Sequence, residues 1–366
     1  MKIALFIEGG VDRSGERDVI HARMWLIERL ARAHEVHVYT LMQEPVPAEW
    51  TLRGAAVHNI ARTPGWRRRL SRTFAAEHRV APFDVLHAHF GWGGSYAALL
   101  GWRHWLPVAF HAGGAELARL EDIGYGMGRS VAGRLRRWII LRGASRVTVA
   151  SASMQRLAAA LGIEARLVMQ GVALDRWPVA APRRRVSGTA ARLLHVGDIR
   201  PVKDQHTLLA AAVILMTRGV PFTLDMVGHD TMDGALQHSV NAMALGDRIR
   251  WHGVLDRTAL RALMDASDLL VVSSLHEGGP LVVLEAAVAG VPTVGSAVGH
   301  VADFAPTAAY AVPVGDAAQL AAAIGELVAN EELRLRIAVA AQALAVEYDA
   351  DHTARITEEV FREITA

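Results

Sequence analysis

The sequence predicts an α/β protein built from two doubly wound domains, and three observations carry that prediction. Short runs rich in Val, Ile and Leu alternate with longer amphipathic stretches, the pattern of βα units around a buried parallel sheet. The alternation runs through the chain twice, with an irregular proline- and arginine-bearing stretch between the two series. At 366 residues the chain also exceeds what one ordinary compact core encloses.

In the first series, strands are expected at 2–7, 35–40, 55–60, 85–89, 108–111 and 146–150, with helical patterns in most intervals. The second series places strands at 192–196, 223–227, 249–252, 269–272 and 293–295. Between them, 175–190 contains WPVAAPRRRVSGTA, whose two prolines and arginine run interrupt both periodicities and read as a linker. The expected domains are therefore 1–178 and 190–350. Beyond Asp316 the strands give out, and Ala-rich patterns at 317–329, 331–347 and 351–365 read as terminal helices.

Composition narrows the function classes. An apolar fraction of 52% and a charged fraction of 21% exclude a disordered or fibrous chain. The chain has no cysteine, which removes disulfides, thiolate nucleophiles and Cys-ligated zinc, and favours a reducing compartment. The apolar run at the N-terminus, about five residues, is shorter than a signal peptide needs, and no segment reaches the ~18 apolar residues of a membrane span. A cytoplasmic protein is expected, soluble or peripheral at the inner face of a membrane.

The net charge of +2 conceals an asymmetry. Residues 1–185 hold 27 Lys+Arg against 15 Asp+Glu, and the remainder holds 12 against 22. A basic first half suggests an anionic partner. Its arginines cluster at Arg67, Arg68, Arg69 and Arg72, beside Trp66, Leu70 and Phe74. They cluster again at Arg129, Arg134, Arg136, Arg137, Arg142 and Arg146, beside Leu135, Trp138, Ile139 and Ile140. Either stretch suits a helix lying on an anionic membrane, and either suits a solvated helix face. Nucleic acid is not an expected partner, because no helix-turn-helix, RRM or zinc pattern appears and the acidic half would repel it.

In an open α/β sheet, ligands bind outside the carboxyl ends of the strands, so two such domains facing each other place a site in the cleft between them. The most informative segment is SSLHEGGPLVVLEAAVAGVP at 273–292, where a strand ends, a Gly-Gly-Pro turn follows and a helix starts near Pro280. Free N–H groups of Gly279, Leu281 and Val282 with the helix dipole make a site for phosphate or sugar hydroxyls. Glu277 sits in the turn. Glu285 interrupts the apolar run LVVLEAAVAG, where a partly buried carboxylate needs a partner. Without further context, the pair also reads as a capping glutamate plus a helix carboxylate.

Glu277 and Glu285 form the E-x7-E pattern, and HEGGPLVVLEAAVAGVPTVGS around them resembles the corresponding segment of retaining family 4 glycosyltransferases. FDVLHAHF at 83–90, ASRVTVAS at 144–151, MQGVALDRW at 169–177, LLHVGDIRPVKDQHTLLAA at 193–211 and AYAVPVGDAAQLAAAI at 309–324 are similar to family segments in the family's order. The resemblance implies a GT-B fold of two facing Rossmann-like domains, with the final helix at 351–366 packing back on the first. It implies that Glu277 contacts a donor sugar and Glu285 the nucleoside ribose, with Gly278, Gly279, Pro280, Leu281 and Val282 supplying the anion-binding turn. The implied partners are a nucleotide-diphosphate sugar, as substrate, and a saccharide or lipid-linked acceptor. No cofactor and no metal are expected.

Lys203 and Lys2 are the only lysines among the 39 basic residues. Lys203 follows the strand LLHV and the turn from Gly197 to Val202, where a compact ammonium suits a leaving diphosphate. A surface lysine at a helix start is the plainer reading. In the family an arginine commonly follows the glycine of this turn. Here Asp198 stands in that place and Arg200 lies two residues on, as the expected substitute. Gln170 and Ala173 likewise stand where the family commonly has asparagine and aspartate.

His111 ends the strand PVAFH before the small-residue turn AGGAEL, and the resemblance makes it a contact of the donor sugar. On its own, a histidine at a strand end is more often structural. His87 and His89 share one side of a strand and are expected to pack. Gly9 and Gly10 follow the first strand and are placed on the acceptor side; the polar loop VDRSGERD follows them. The scattered tryptophans read as core filling, with Trp92, Trp102 and Trp105 as candidates to flank an acceptor. The function these features imply is retaining transfer of a sugar from a UDP- or GDP-sugar to an acceptor hydroxyl, in polysaccharide or glycolipid synthesis. A nucleotide-sugar 2-epimerase and a non-catalytic nucleotide-sugar-binding partner share the fold and stay open as alternatives.

Overall fold

The computed structural model describes residues 1–16, 19–186 and 188–366. Residues 17 and 18, at the end of the polar loop after Gly10, and residue 187, in the stretch read as a linker, lie outside the described residues. The chain forms two compact units, Met1–Gly171 with Ala350–Ala366, and Val172–Asp349.

The first unit contains β1 (Lys2–Ile7), α1 (His21–Leu30), β2 (Glu35–Thr40), β3 (Ala48–Leu52), β4 (Ala55–Asn59), α2 (Trp66–Val80), β5 (Val85–His89) and α3 (Phe90–His104). It continues with β6 (Val108–Ala112), α4 (Val131–Gly143), β7 (Arg146–Val149), α5 (Ala152–Ala160) and β8 (Ala165–Leu167). Its eight strands lie in the order β3-β4-β2-β1-β5-β6-β7-β8, all parallel except β3, which runs antiparallel to β4. Strand β1 shows why the sheet is buried on both sides. Ala4 and Phe6 join a core with Tyr39, Phe74 and Phe110, while Ile3, Leu5 and Ile7 join another with Met24, Ile27 and Phe361.

The second unit contains β9 (Ala191–Val196), α6 (Gln205–Thr217), β10 (Phe222–Val227), α7 (Ala235–Ala242), β11 (Ile249–Gly253), α8 (Arg257–Ala266) and β12 (Leu269–Val272). It ends with α9 (Leu281–Val288), β13 (Thr293–Ser296), α10 (Gly299–Phe304), β14 (Tyr310–Val312), α11 (Ala317–Ala329) and α12 (Glu331–Glu347). Its six strands run parallel in the order β11-β10-β9-β12-β13-β14. The last helix, α13 (Ala350–Thr365), belongs to the first unit. Arg29 Nε donates to Asp351 at 2.8 Å, Arg166 Nη2 to Glu359 at 2.8 Å, and the buried Phe361 packs into the core beside α1.

Three short strands, β3, β8 and β14, are absent from the sequence expectation. Each lies at an edge of its sheet, where one-sided burial leaves only a weak apolar run. The described residues of 175–190 form no helix or strand, yet they are tied into the second unit. Ala180 N–H donates to Val288 O at 3.0 Å, and Arg183 and Arg185 lie 3.1 and 3.3 Å from the buried Asp268 carboxylate. Prolines interrupt a periodicity without removing contacts, so the unit boundary falls earlier, between Gly171 and Val172.

Candidate functional site

The winding direction of the second sheet reverses at β9 and β12, and that crevice is where an open α/β sheet binds ligands. Pairing between the two strands covers only Leu193–Leu269 and Leu194–Leu270. Beyond it the strands separate, and the buried His195 ring spans the opening, with Nδ1–H donated to Val271 O at 3.0 Å. Burial lowers the His195 pKa to about 4, so its ring is neutral and Nε2 accepts from Gln205 Nε2 at 3.3 Å. Gln205 also donates to Asp198 O at 2.9 Å and so fixes the turn after β9. Gly228 abuts this turn, since a Cβ there would lie 2.1 Å from Gly197 O.

Lys203 is set by its own backbone. It ends a one-turn 3-10 segment, Pro201–Lys203, and its carbonyl accepts from Ser273 Oγ at 2.8 Å, while Leu275 N–H donates to Val202 O at 2.9 Å. These two bonds lock the loop after β12 onto the loop after β9. The ammonium then reaches Glu277, with Nζ 2.6 Å from Oε1, and Ser274 Oγ donates to the same oxygen at 2.7 Å. Both side chains are mostly covered but keep 21% and 13% exposure, so the ion pair is not sealed from solvent. Gly299, at the start of α10, closes the back of the turn. At φ +48° it lies where a Cβ would stand 2.8 Å from Pro280 Cδ and 3.1 Å from Glu277 Cβ.

Pro280 is the residue just before α9, so the helix begins at Leu281, one position later than the sequence leads one to expect. Among the described residues, the N–H groups of Gly279, Leu281 and Val282 carry no hydrogen bond, which leaves donors at the helix mouth. Glu285 lies one turn further along α9 and is buried. Burial raises its pKa to about 7, against a weaker opposing pull from Arg257, and its backbone carbonyl accepts from Trp177 Nε1 at 2.9 Å. Arg200 is half-buried and in no ion pair among the described residues, while Asp198 is exposed and its carboxylate accepts from His229 N–H at 3.4 Å. A pocket of about 130 Å³ opens beside Gly197 at the carboxyl ends of β9, β10 and β11, with Met226, His229 and Trp251 in its wall.

The remaining sequence-predicted residues lie in the first unit. Gly10, at φ +81°, turns the chain after β1, with Ile20 N–H donated to its carbonyl at 3.1 Å; Gly9 precedes it, where a Cβ would stand 3.7 Å from Gln43 Oε1 and 3.9 Å from the Met42 backbone. His111 is buried, with Nδ1 2.9 Å from Thr148 Oγ1, and its ring lies 5.1 Å from that of His89, which lies 4.6 Å from His87. Burial drives the pKa of His87 and of His111 down to about 3 and holds that of His89 well below the usual range. These three rings, with Gln170 and Thr353, line a cavity of about 10 Å³, room for one water.

Sequence reading missed Arg23, in α1 after β1, Phe90, directly after β5, and Glu116, in the turn after β6. Arg23, 3% exposed, lies 3.8 Å over the Phe90 ring, and Glu116 accepts the N–H groups of Gly113 and Gly114 at 3.0 and 3.1 Å. The Gly-Gly-Ala-Glu sequence after a strand was the available signal for Glu116. One group close enough to hold a cation occurs among the described residues: His37, His58 and Glu77. Its histidine nitrogens face each other at 3.0 Å in nearly parallel rings, while the outer nitrogens reach Glu35 and Glu49 at 2.9 Å. That spacing is a hydrogen bond between imidazoles, shorter than tetrahedral metal ligation leaves between two nitrogens.

Residues 182–344 match the family of glycosyl transferases group 1, and residues 24–176 match glycosyltransferase family 4. Glycogen synthase of Mycobacterium tuberculosis is 28% identical over 284 residues, 76% of this chain and 68% of that one. The solved sucrose-phosphate synthase of Thermosynechococcus elongatus superposes with a TM-score of 0.78 at 18% identity, over 99% of this chain and 98% of that one. Anabaena Alr3699/HepE, solved with UDP-glucose, gives 0.77 at 18% identity, over 99% and 100%.

Proposed function

Because the chain belongs to the family 4, group 1 glycosyltransferases and has their GT-B fold, we propose that it moves a sugar from a UDP- or GDP-sugar to an acceptor hydroxyl, with retention and without metal. The observation that carries this reading is the Lys203–Glu277 pair at the switch point of the second sheet. A diphosphate bound there meets the Lys203 ammonium and the unbonded N–H groups of Gly279, Leu281 and Val282. The pocket beside Gly197 lies at the same strand ends and has room for a flat ring. Glu277 then faces the sugar, Glu285 the ribose, and Arg200 supplies a second positive charge. Gly9 and Gly10 are assigned to the acceptor, and His111 to the sugar.

No protein nucleophile is required. The bond from the anomeric carbon to the diphosphate breaks while the acceptor oxygen bonds to that carbon on the same face, and the acceptor's proton passes to a departing diphosphate oxygen. The protein stabilises charge on the leaving group, and each such donor is worth about 3 kcal/mol of barrier. The transfer is assigned to polysaccharide or glycolipid synthesis as part of the same proposal. Transfer from UDP-glucose or GDP-mannose to an acceptor extract, with the anomeric configuration read by NMR, tests the reading. Conversion of the donor without acceptor would identify an epimerase instead, and nucleotide binding with no turnover a non-catalytic partner.

A further inference from the structure

The two arginine-rich stretches of the first unit look alike in composition, and the fold separates them. On α2, Trp66, Leu70 and Phe74 recur every four residues and are buried in the core, so its arginines stand on an ordinary solvated face. On α4 the large apolar residues point outward. Val131, Leu135 and Trp138 are 73%, 57% and 54% exposed, and with Arg142 they follow the i, i+4, i+7, i+11 spacing of one helix stripe.

Helix α3 packs against α4 and extends this face. Leu99 and Trp102 are each 46% exposed, and Trp105, in the left-handed residue that ends α3, is 93% exposed. Trp102, Trp105 and Arg142 line one shallow groove, so the stripe of α4 and the end of α3 are continuous. Neither helix contains an Asp or Glu. Their arginines are Arg103, Arg134, Arg136, Arg137 and Arg142, and among the described residues none of these is in an ion pair. Arg136 lies 4.1 Å over the Trp92 ring, and Arg142 5.9 Å from that of Trp138.

An exposed apolar patch flanked by unneutralised charge needs a partner that supplies apolar depth and negative charge together. A second copy of this face does not, because it would bring arginine onto arginine. Tryptophan suits the headgroup boundary of a bilayer, with the ring in the apolar layer and the indole N–H among polar groups. Arginine suits the phosphates beside it. We propose that the face formed by Val131, Leu135 and Trp138 of α4 with Trp102 and Trp105 of α3 docks on an anionic lipid bilayer, with Arg103, Arg134 and Arg142 on the headgroups. Among the described residues no helix is long and apolar enough to cross a membrane; the docking proposed is of this face onto the bilayer surface. The proposal does not depend on the donor-site assignment, since vesicle binding requires no turnover.

Flotation of the full chain with vesicles of phosphatidylcholine alone, and with phosphatidylglycerol added, tests it. The protein is expected to float with the anionic vesicles only and to be released by high salt. R134E/R142E should lower the partition roughly 25-fold, about fivefold or more for each arginine, and W105S/W138S should lower it comparably. Both variants should keep wild-type circular dichroism and melting temperature, because these side chains are exposed. R68E/R72E on α2 serves as a control for general basic charge and should retain most of the binding. No flotation at low salt, or equal losses in the α2 and α4 variants, overturns the proposal. So does a concentration-dependent dimer in sedimentation that W105S/W138S abolishes, which would assign the face to a second copy of the chain.

Discussion

Lys203 Nζ lies 2.6 Å from Glu277 Oε1 across the two strand ends at which the second sheet changes winding direction. The two residues are 74 positions apart, and the contact is made by the loop-to-loop bonds from Ser273 and Leu275. Removing the ammonium should do two things. In Lys203→Ala, sugar transfer should fall by about 10²–10³, the loss of one positioned charge on the leaving diphosphate. Folding stability should fall less, by roughly 1–3 kcal/mol, because Glu277 is left 13% exposed without its cation. Transfer kinetics alongside urea unfolding separate the two effects, and near-normal transfer would remove Lys203 from the mechanism.

The Glu285 carboxyl predicts a pH dependence of stability. In the unfolded chain it ionises near its ordinary value, whereas burial raises the folded pKa to about 7. Between those values the folded state keeps a proton that the unfolded state has lost, so this group's contribution falls as pH rises from about 4.5 towards 7. Glu285→Gln, which stays neutral, should be more stable relative to wild type at pH 8 than at pH 5, by an amount on the order of 1–3 kcal/mol. Urea midpoints at the two pH values check this, and a pH-independent difference contradicts it.

The buried histidines of the first unit predict the opposite slope. His87 and His111 have folded pKa values near 3, while the unfolded rings take up protons near 6.5. As pH falls below 6.5, the unfolded state binds protons that the folded state excludes. Stability should therefore decline by up to about 1.4 kcal/mol per pH unit for each ring held neutral. His87→Gln should reduce that slope by about one proton in the range below pH 6, measured from unfolding midpoints across a pH series. An unchanged slope would mean that His87 is protonated in the fold.

Gly299 is predicted to tolerate no side chain. Gly299→Ala would place a methyl 2.8 Å from Pro280 and 3.1 Å from Glu277, at φ +48°. The strained backbone alone costs roughly 1–2 kcal/mol, and displacement of the Glu277 turn should weaken nucleotide binding as well. Calorimetric titration with UDP against the unfolding midpoint tests the coupling; loss of stability with unchanged affinity would detach Gly299 from the site.

The fold class was legible because the central parallel strands are buried on both faces and read as unbroken apolar runs, as LLVV at β12 and IALFI within β1 do. Edge strands such as AEWTL in β3 alternate exposed and half-buried residues and do not stand out. At the site, residue type and position after a strand singled out Lys203 and Glu277 separately. Their pairing is a tertiary fact, as is the meeting of His37, His58 and Glu77 from two strands and a helix. The arginine-rich helices show the limit most plainly. Both combine tryptophan, leucine and arginine, but Trp66, Leu70 and Phe74 face the core while Leu135 and Trp138 face outward. Only the packing of α3 against α4 distinguishes them.

The most direct test of the donor site is calorimetric binding of UDP, GDP and their sugar conjugates in EDTA, with wild type and Lys203→Ala side by side. Metal-free binding of one nucleotide, weakened about tenfold or more by the substitution, is the expected result and identifies the donor base. Absence of binding by either nucleotide, or equal affinity in the two proteins, would contradict a diphosphate site at Lys203 and Glu277.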